Sequence, residues 1–159
     1  MVLQTAVNSK LAFGLVGTFY DDSARRVAPY NLASTAGINP KIGCAFTSTA
    51  NEGEAGIGGE GSFLGVLVSP HEYVIYSLTA TLELPAGTIG QLCTFGHVIV
   101  APTTSVAVGY VAAYDNATGE IGGYATADDV PEGSTLIPNS RFIFVSGTAG
   151  QPAVLELGN

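Results

Sequence analysis

The sequence predicts an all-β single domain built as a sandwich or barrel, and three observations carry that reading. Helical periodicity is nearly absent along the chain. Short runs rich in β-branched and aromatic residues are punctuated by Gly, Pro, Asn and Asp, which is the signature of strands joined by turns. The 159 residues fit one domain, and an apolar share of 47% supplies a core that a disordered chain would lack.

The elements follow in order. Residues 1–40 read as an extended N-terminal arm with short strands, and 41–159 as the β-sandwich or barrel domain. Inside that domain NEGEAGIGGEG is rich in Gly and Glu, so 50–61 reads as a mobile loop. SFLGVLVS (62–69) is the first strong strand, closed by Pro70; EYVIYSLTATLEL (72–84) follows, closed by Pro85. IGQLCTFGHVIVA (89–101) stops at Pro102. SVAVGYVAAY (105–114) leads into DNATG (115–119), which returns the chain as a hairpin through EIGGYATA. RFIFVSG (141–147) and AVLEL (153–157) form a last pair. Alternation puts Val106, Val108, Tyr110 and Ala112 on one face, and sets Phe142 and Phe144 opposite Arg141, Ile143 and Val145. Both faces are apolar, which suits strands whose outer side is covered by loops or by a partner.

Composition excludes several classes of function. A formal charge of −8 and a pI near 4.4 oppose nucleic-acid binding, since duplex affinity comes largely from lysine and arginine neutralising phosphates. No apolar run approaches the roughly 18 residues that span a bilayer, so no membrane partner is expected. The N-terminal stretch MVLQTAVNSKLAFGLVGTF has its lysine inside the apolar run and no charged region before it. It does not read as a signal peptide, and a protein cytosolic at synthesis is expected. Cys44 and Cys93 lack C-x-x-C spacing and read as two inert buried thiols.

The catalytic motifs on offer fail on context. Gly56 to Gly61 matches G-x-G-x-x-G, yet an acidic stretch precedes it, a β run follows it, and Glu60 would repel a phosphate. His71 and His97, even with Glu72, do not supply the three or four convergent ligands of a closed metal site. Both read as structural histidines. Cys93 and His97, four apart on an extended strand, stand about 13 Å from each other, too far for proton transfer. Asp21 with Asp22, and Asp128 with Asp129, are neighbours whose carboxylates point apart and read as solvated turn residues. Asn116 and Thr118 fit a glycosylation sequon but mark only a turn. Neither enzymatic activity nor a cofactor or metal is expected.

With catalysis set aside, the order of segments becomes the informative feature. FGLVGTFYDDSARRVAPYNL (13–32) is followed by KIGCAFT (41–47), GSFLGVLVSPHEY (61–73), LPAGTIGQLCTFGHVIV (84–100) and IPNSRFIFVSGTAGQPAVLELG (137–158). In that order the chain resembles the structural cement proteins of tailed bacteriophages, most specifically at 61–73 and 84–92. The resemblance implies a jelly-roll-like sandwich or barrel on the outer surface of the capsid. It also implies a virion protein that holds neighbouring major capsid proteins together, with the major capsid protein and further copies of itself as partners. A homodimer is favoured and a trimer is the alternative, because two-fold contacts are the commonest among homo-oligomers. The acidic balance agrees with a position away from packaged DNA. Other readings are a different β-rich virion component, such as a tail or fibre module, and a small β-barrel enzyme or sugar-binding protein, which a deep polar pocket around His97 would favour.

GTFYDDSARRVAPYNL (17–32) concentrates charge in a chain that is only 11% charged, with Arg25 and Arg26 among five basic residues. As an arm laid over a capsid neighbour it would anchor through Phe19, Tyr20 and Tyr30. Arg25 and Arg26 would meet the partner's carboxylates, and Asp21 and Asp22 would accept from basic groups or cap a turn. The competing reading pairs both arginines with Asp21 and Asp22 in their own solvated loop.

Overall fold

A computed structural model describes residues 14–69 and 82–158. Their strands are β1 (Arg26–Ala33), β2 (Ala45–Ser48), β3 (Glu54–Ile57), β4 (Phe63–Val68), β5 (Ile89–Val100), β6 (Val111–Asp115), β7 (Ile121–Tyr124), β8 (Ser134–Leu136), β9 (Ser140–Phe144) and β10 (Ala153–Leu157). One 3-10 turn, Ala127–Asp129, interrupts them, and no α-helix occurs among the described residues. The expected all-β sandwich or barrel is what the chain builds.

Seven strands hydrogen-bond in the order β1-β3-β2-β4-β5-β10-β9, and β1 also pairs antiparallel with β5. That extra pairing closes the first five strands into a ring. Each of them contributes to one apolar cluster, with Leu32 from β1, Phe46 from β2, Ala55 and Ile57 from β3, Leu67 from β4 and Leu92 from β5. The ring is therefore a barrel with a filled interior. Alternate residues of the same strands, Ala45, Val66, Val68 and Cys93, point to the other side, where they join Val98, Val100, Phe142, Leu155 and Leu157. A second sheet, β7-β6-β8, covers that layer with Ala112, Tyr114 and Ile121. Barrel and sandwich thus share β5. Its first half pairs with β1 and β4, and its second half pairs with β10.

Several expectations need correction. The Gly/Glu stretch 50–61 contains β3, whose Ala55, Gly56 and Ile57 are buried. Its glycines are there for close approach. At Gly58 the backbone has φ +62, and a Cβ would lie 2.7 Å from the Asn116 carbonyl oxygen and 2.9 Å from the Gly119 nitrogen. The tip of the β6–β7 hairpin docks there, with Gly59 N donating to Asn116 O at 2.7 Å and Ala45 N to Gly119 O at 2.8 Å. Within the expected extended arm over 1–40, the described residues 17–20 and Arg26–Asn31 lie along β5, and Asn31–Ala33 pair with β3.

The run 105–114 becomes a strand only from Val111. A turn with Gly109 at φ +91 precedes it, burying Val106 and leaving Val108 67% exposed. In β9 a register shift against β10 breaks the alternation, so Phe142 is buried while Phe144 is 47% exposed. Most of the strand expected at 72–84, together with His71 and residues 1–13, lies outside the described residues.

Candidate functional site

The charged cluster of 17–33 is built by a mismatch in strand pairing. Gly17 N donates to Ile99 O, Ile99 N to Thr18 O and Tyr20 N to His97 O, so 17–20 runs antiparallel to the second half of β5. β1 then pairs with the first half, starting with Arg26 opposite Phe95. Between those two stretches the chain has residues 21–25 where β5 has only Gly96. The excess loops outward over that glycine, where a Cβ would sit 3.1 Å from the Arg25 Cβ. Gly96 is thus required by the loop that crosses it.

The loop is fixed to the sheet by polar contacts. Nδ1 of His97 donates to Asp21 Oδ2 at 2.7 Å, and the Ser23 hydroxyl donates to the other Asp21 oxygen. Nε2 of His97 faces Glu156 Oε1 at 3.8 Å, and Glu156 accepts from Arg141 Nε. The result is a row across neighbouring strands, Arg141, Glu156, His97 and Asp21, which agrees with the register Glu156 opposite His97 and Arg141 opposite Glu156. The Ser23 hydroxyl, and after it His97, hold the Asp21 carboxyl below the ordinary carboxylate range. Ser23 and Asp21 both meet the same imidazole nitrogen. A nucleophilic triad needs serine and carboxylate on opposite nitrogens, so this trio orients a loop instead of activating a hydroxyl. The cleft beside it, about 310 Å³, is lined by Phe95, Leu157, Gly96, Gly158 and Ala24, with Ser23, His97 and Glu156 as its polar groups.

Each residue expected at a contact has a definite place. Phe19 is half-buried against the inter-sheet core, and the Arg25 guanidinium carbon lies 4.5 Å above its ring. Tyr20 packs against Phe144 with ring centroids 5.1 Å apart and the planes tilted by 37°. Tyr30 packs against the barrel cluster. Arg25 reaches Asp22 at 4.0 Å, while Asp21 serves His97. Arg26 is exposed and, among the described residues, forms no ion pair. The structure therefore brings Phe19 to Arg26 together and leaves Tyr30 farther along β1. Sequence reasoning treated His97 as a structural histidine without its Asp21 partner, and gave Glu156, Arg141 and Phe144 no place in the site. The i, i+2 pair Phe95 and His97 was the only local signal that β5 had an exposed face; the rest depends on register between distant strands.

Comparisons with known proteins bear on the whole chain. The family described as "Structural cement protein (E217 gp24/Pam3 gp6)" matches residues 3–158. No curated protein matches. A chain in the solved structure "The capsid of Myoviridae Phage XM1" superposes with a TM-score of 0.66 at 14% identity, over 100% of this chain and 99% of that one. At such identity the likeness speaks for the fold, and the all-β architecture built on β5 is shared. The match over nearly every residue settles the family: the chain belongs to the phage structural cement proteins, capsid components whose role is structural and stabilising.

Proposed function

We propose that the protein binds the outside of the phage head and bridges neighbouring major capsid proteins there, acting through binding energy and not through catalysis. The observation that carries this is the 17–33 segment, bound to the sheet by its main chain, which exposes Asp22, Arg25 and Arg26 beside a half-buried Tyr20 in a molecule of net charge −8. Phe19 and Tyr30 set its register from below, and Asp21 locks its loop to His97. Because 17–20 and β1 already use their main chain against β5, contact with the capsid comes from side chains. Preferential binding to the assembled state stabilises that state by mass action. The acidic balance suits the outer surface, away from packaged DNA. In this reading two copies associate about a two-fold axis, which light scattering of the free protein checks against trimer and monomer.

The test is the double substitution Arg25→Ala with Arg26→Ala, measured against undecorated heads. The Arg25–Asp22 pair is solvent-exposed and screened, and the Arg25 contact over the Phe19 ring is worth about 0.5–1 kcal/mol, so the melting temperature of the free protein falls only slightly. Head affinity falls at least about tenfold, equivalent to about 1.4 kcal/mol. Unchanged affinity would assign these arginines to the protein's own surface.

A further inference from the structure

The outward face of β5, β10 and β9 carries more than the 17–33 segment. Residues directly opposite in a ladder point to the same side, so Arg26 shares a side with Phe95, and Arg141 with Glu156 and His97. Phe95 and His97, two apart, put all of these on one face. The charged row is flanked by exposed rings. Phe144, in tilted contact with Tyr20, stands on one side, and Phe95, beside Gly158, stands on the other with 39% of its surface exposed.

Charge divides the molecule in the same way. Arg25, Arg26 and Arg141 are all the arginines of the chain. Asp21, Asp22 and Glu156 balance them, so this face is neutral and the entire −8 lies elsewhere. Across the inter-sheet core, residues 111–136 carry Asp115, Glu120, Asp128, Asp129 and Glu132 and no lysine or arginine.

We propose that this composite face is the seat on the capsid, extending the contact from 17–33 to Phe144, Phe95 and Arg141, with the β6–β7–β8 sheet turned away. The occupant is a capsid-protein surface with an apolar ridge for the rings and carboxylates facing Arg25 and Arg26. Two arguments select it. Exposed aromatic rings set among arginines are the composition of binding hot spots. Arg26 is exposed and has no carboxylate within ion-pair distance among the described residues, so it is available to a partner's, and the acidic far sheet disfavours docking on a carboxylate-bearing surface in the opposite orientation.

The inference rests on the head-binding reading, and the experiment separates the two. Undecorated heads are titrated with the full chain, with Phe95→Ser/Phe144→Ser, and with Asp128→Asn/Asp129→Asn, each checked for a native melt. The ring variant loses at least about tenfold in affinity and the far-sheet variant binds as the parent does. Oxidative footprinting of the unsubstituted chain on heads gives an answer even if the ring variant folds poorly: Phe95 and Phe144 are protected while Tyr124 and Leu136 stay reactive. Ring-variant binding equal to the parent's, protection of the far sheet, or a ring variant that changes only the oligomeric mass of the free protein overturns the proposed face. Failure of the parent chain to bind heads overturns the underlying reading as well.

Discussion

Gly58→Ala tests how the barrel and the second sheet are joined, and Gly53→Ala supplies its reference. Both glycines have positive φ, +62 and +75, so alanine at either meets the left-handed cost of about 1–2 kcal/mol, partly offset by about 0.4–1 kcal/mol from a less flexible unfolded chain. At Gly53 nothing lies within 4 Å of the added Cβ, and the net loss is about 1 kcal/mol. At Gly58 the Cβ enters the space of the Asn116 carbonyl and the Gly119 nitrogen, backbone atoms that cannot rotate away. Relieving that overlap displaces the 116–119 turn and strains two bonds, Gly59 N to Asn116 O and Ala45 N to Gly119 O. At about 1 kcal/mol each, they bring the loss at Gly58 to about 3 kcal/mol. For a chain of this size the difference corresponds to a melting temperature roughly 4–8 °C lower than that of the Gly53 variant. Urea unfolding with an unchanged slope, alongside the thermal melt, measures it. Equal destabilisation by the two substitutions would refute docking of the hairpin tip as the reason for the glycine.

Three further outcomes follow from the titratable groups. Burial pushes the Cys44 thiol up to about 12 and raises Cys93 as well, so a thiol reagent at pH 8 leaves both unlabelled until urea unfolds the chain; labelling at the rate of a free thiol in the native state contradicts the buried placement. Lys41 donates to Glu120 at 2.7 Å, and that hydrogen bond raises its pKa above 10.5. The pairing is fully present below 10.5 and is lost as pH rises through the folded value, so Lys41→Met flattens the alkaline limb of a stability-against-pH curve. Asp21 shifts the other way: its contribution is present above 3.8 and disappears as pH falls through its depressed folded pKa. The expected outcome by NMR is an acid-side change in the His97 ring signals of the parent that Asp21→Asn abolishes; identical acid-side behaviour of the two chains would contradict the Asp21–His97 contact.

Fold class was legible because strand runs and turn residues are local signals. The ends of β4, β5 and β10 could be read to within a residue or two, since proline or glycine marks them. Closure of the barrel was not. It depends on β1 pairing with both β3 and β5, partners distant in sequence, and no periodicity within Arg26–Ala33 encodes them. The same lack hid β3. Its alanine and glycines look like a loop because the packing demand comes from the Asn116–Gly119 turn, far along the chain. At the candidate site the arginine and aspartate cluster was visible as a concentration of charge. Its partner groups His97 and Glu156 were not, because a register fixed by hydrogen bonds between β5 and β10 places them. Phe144 was assigned to the wrong side by strict alternation, and the register shift at Val154 and Leu155 is what exposes it.

How edges are used constrains how such a protein can hold a capsid. An open strand edge can capture another chain by main-chain pairing, but it also invites aggregation. Here most edges are consumed internally. Barrel closure removes those of β1 to β5, Phe142 of β9 bonds to Gly109 and Tyr110, and β7 bonds to Thr103 and Thr104. Among the described residues strand β8, three residues long, is an edge of the smaller sheet, where the neighbouring acids Glu132, Asp128 and Asp129 repel like-charged copies. On the proposed reading, affinity for the head comes from rings and arginines on a preformed face, since few strand edges stay open among the described residues. Contacts of that kind weaken when salt screens the arginines, whereas a main-chain ladder shielded within a sheet does not. Head affinity that falls as salt rises from about 0.05 to 0.5 M, and falls less for the Arg25→Ala/Arg26→Ala chain, is the expected signature. A salt-independent affinity would point instead to strand exchange with the capsid and would require the 17–33 segment to leave β5 on binding.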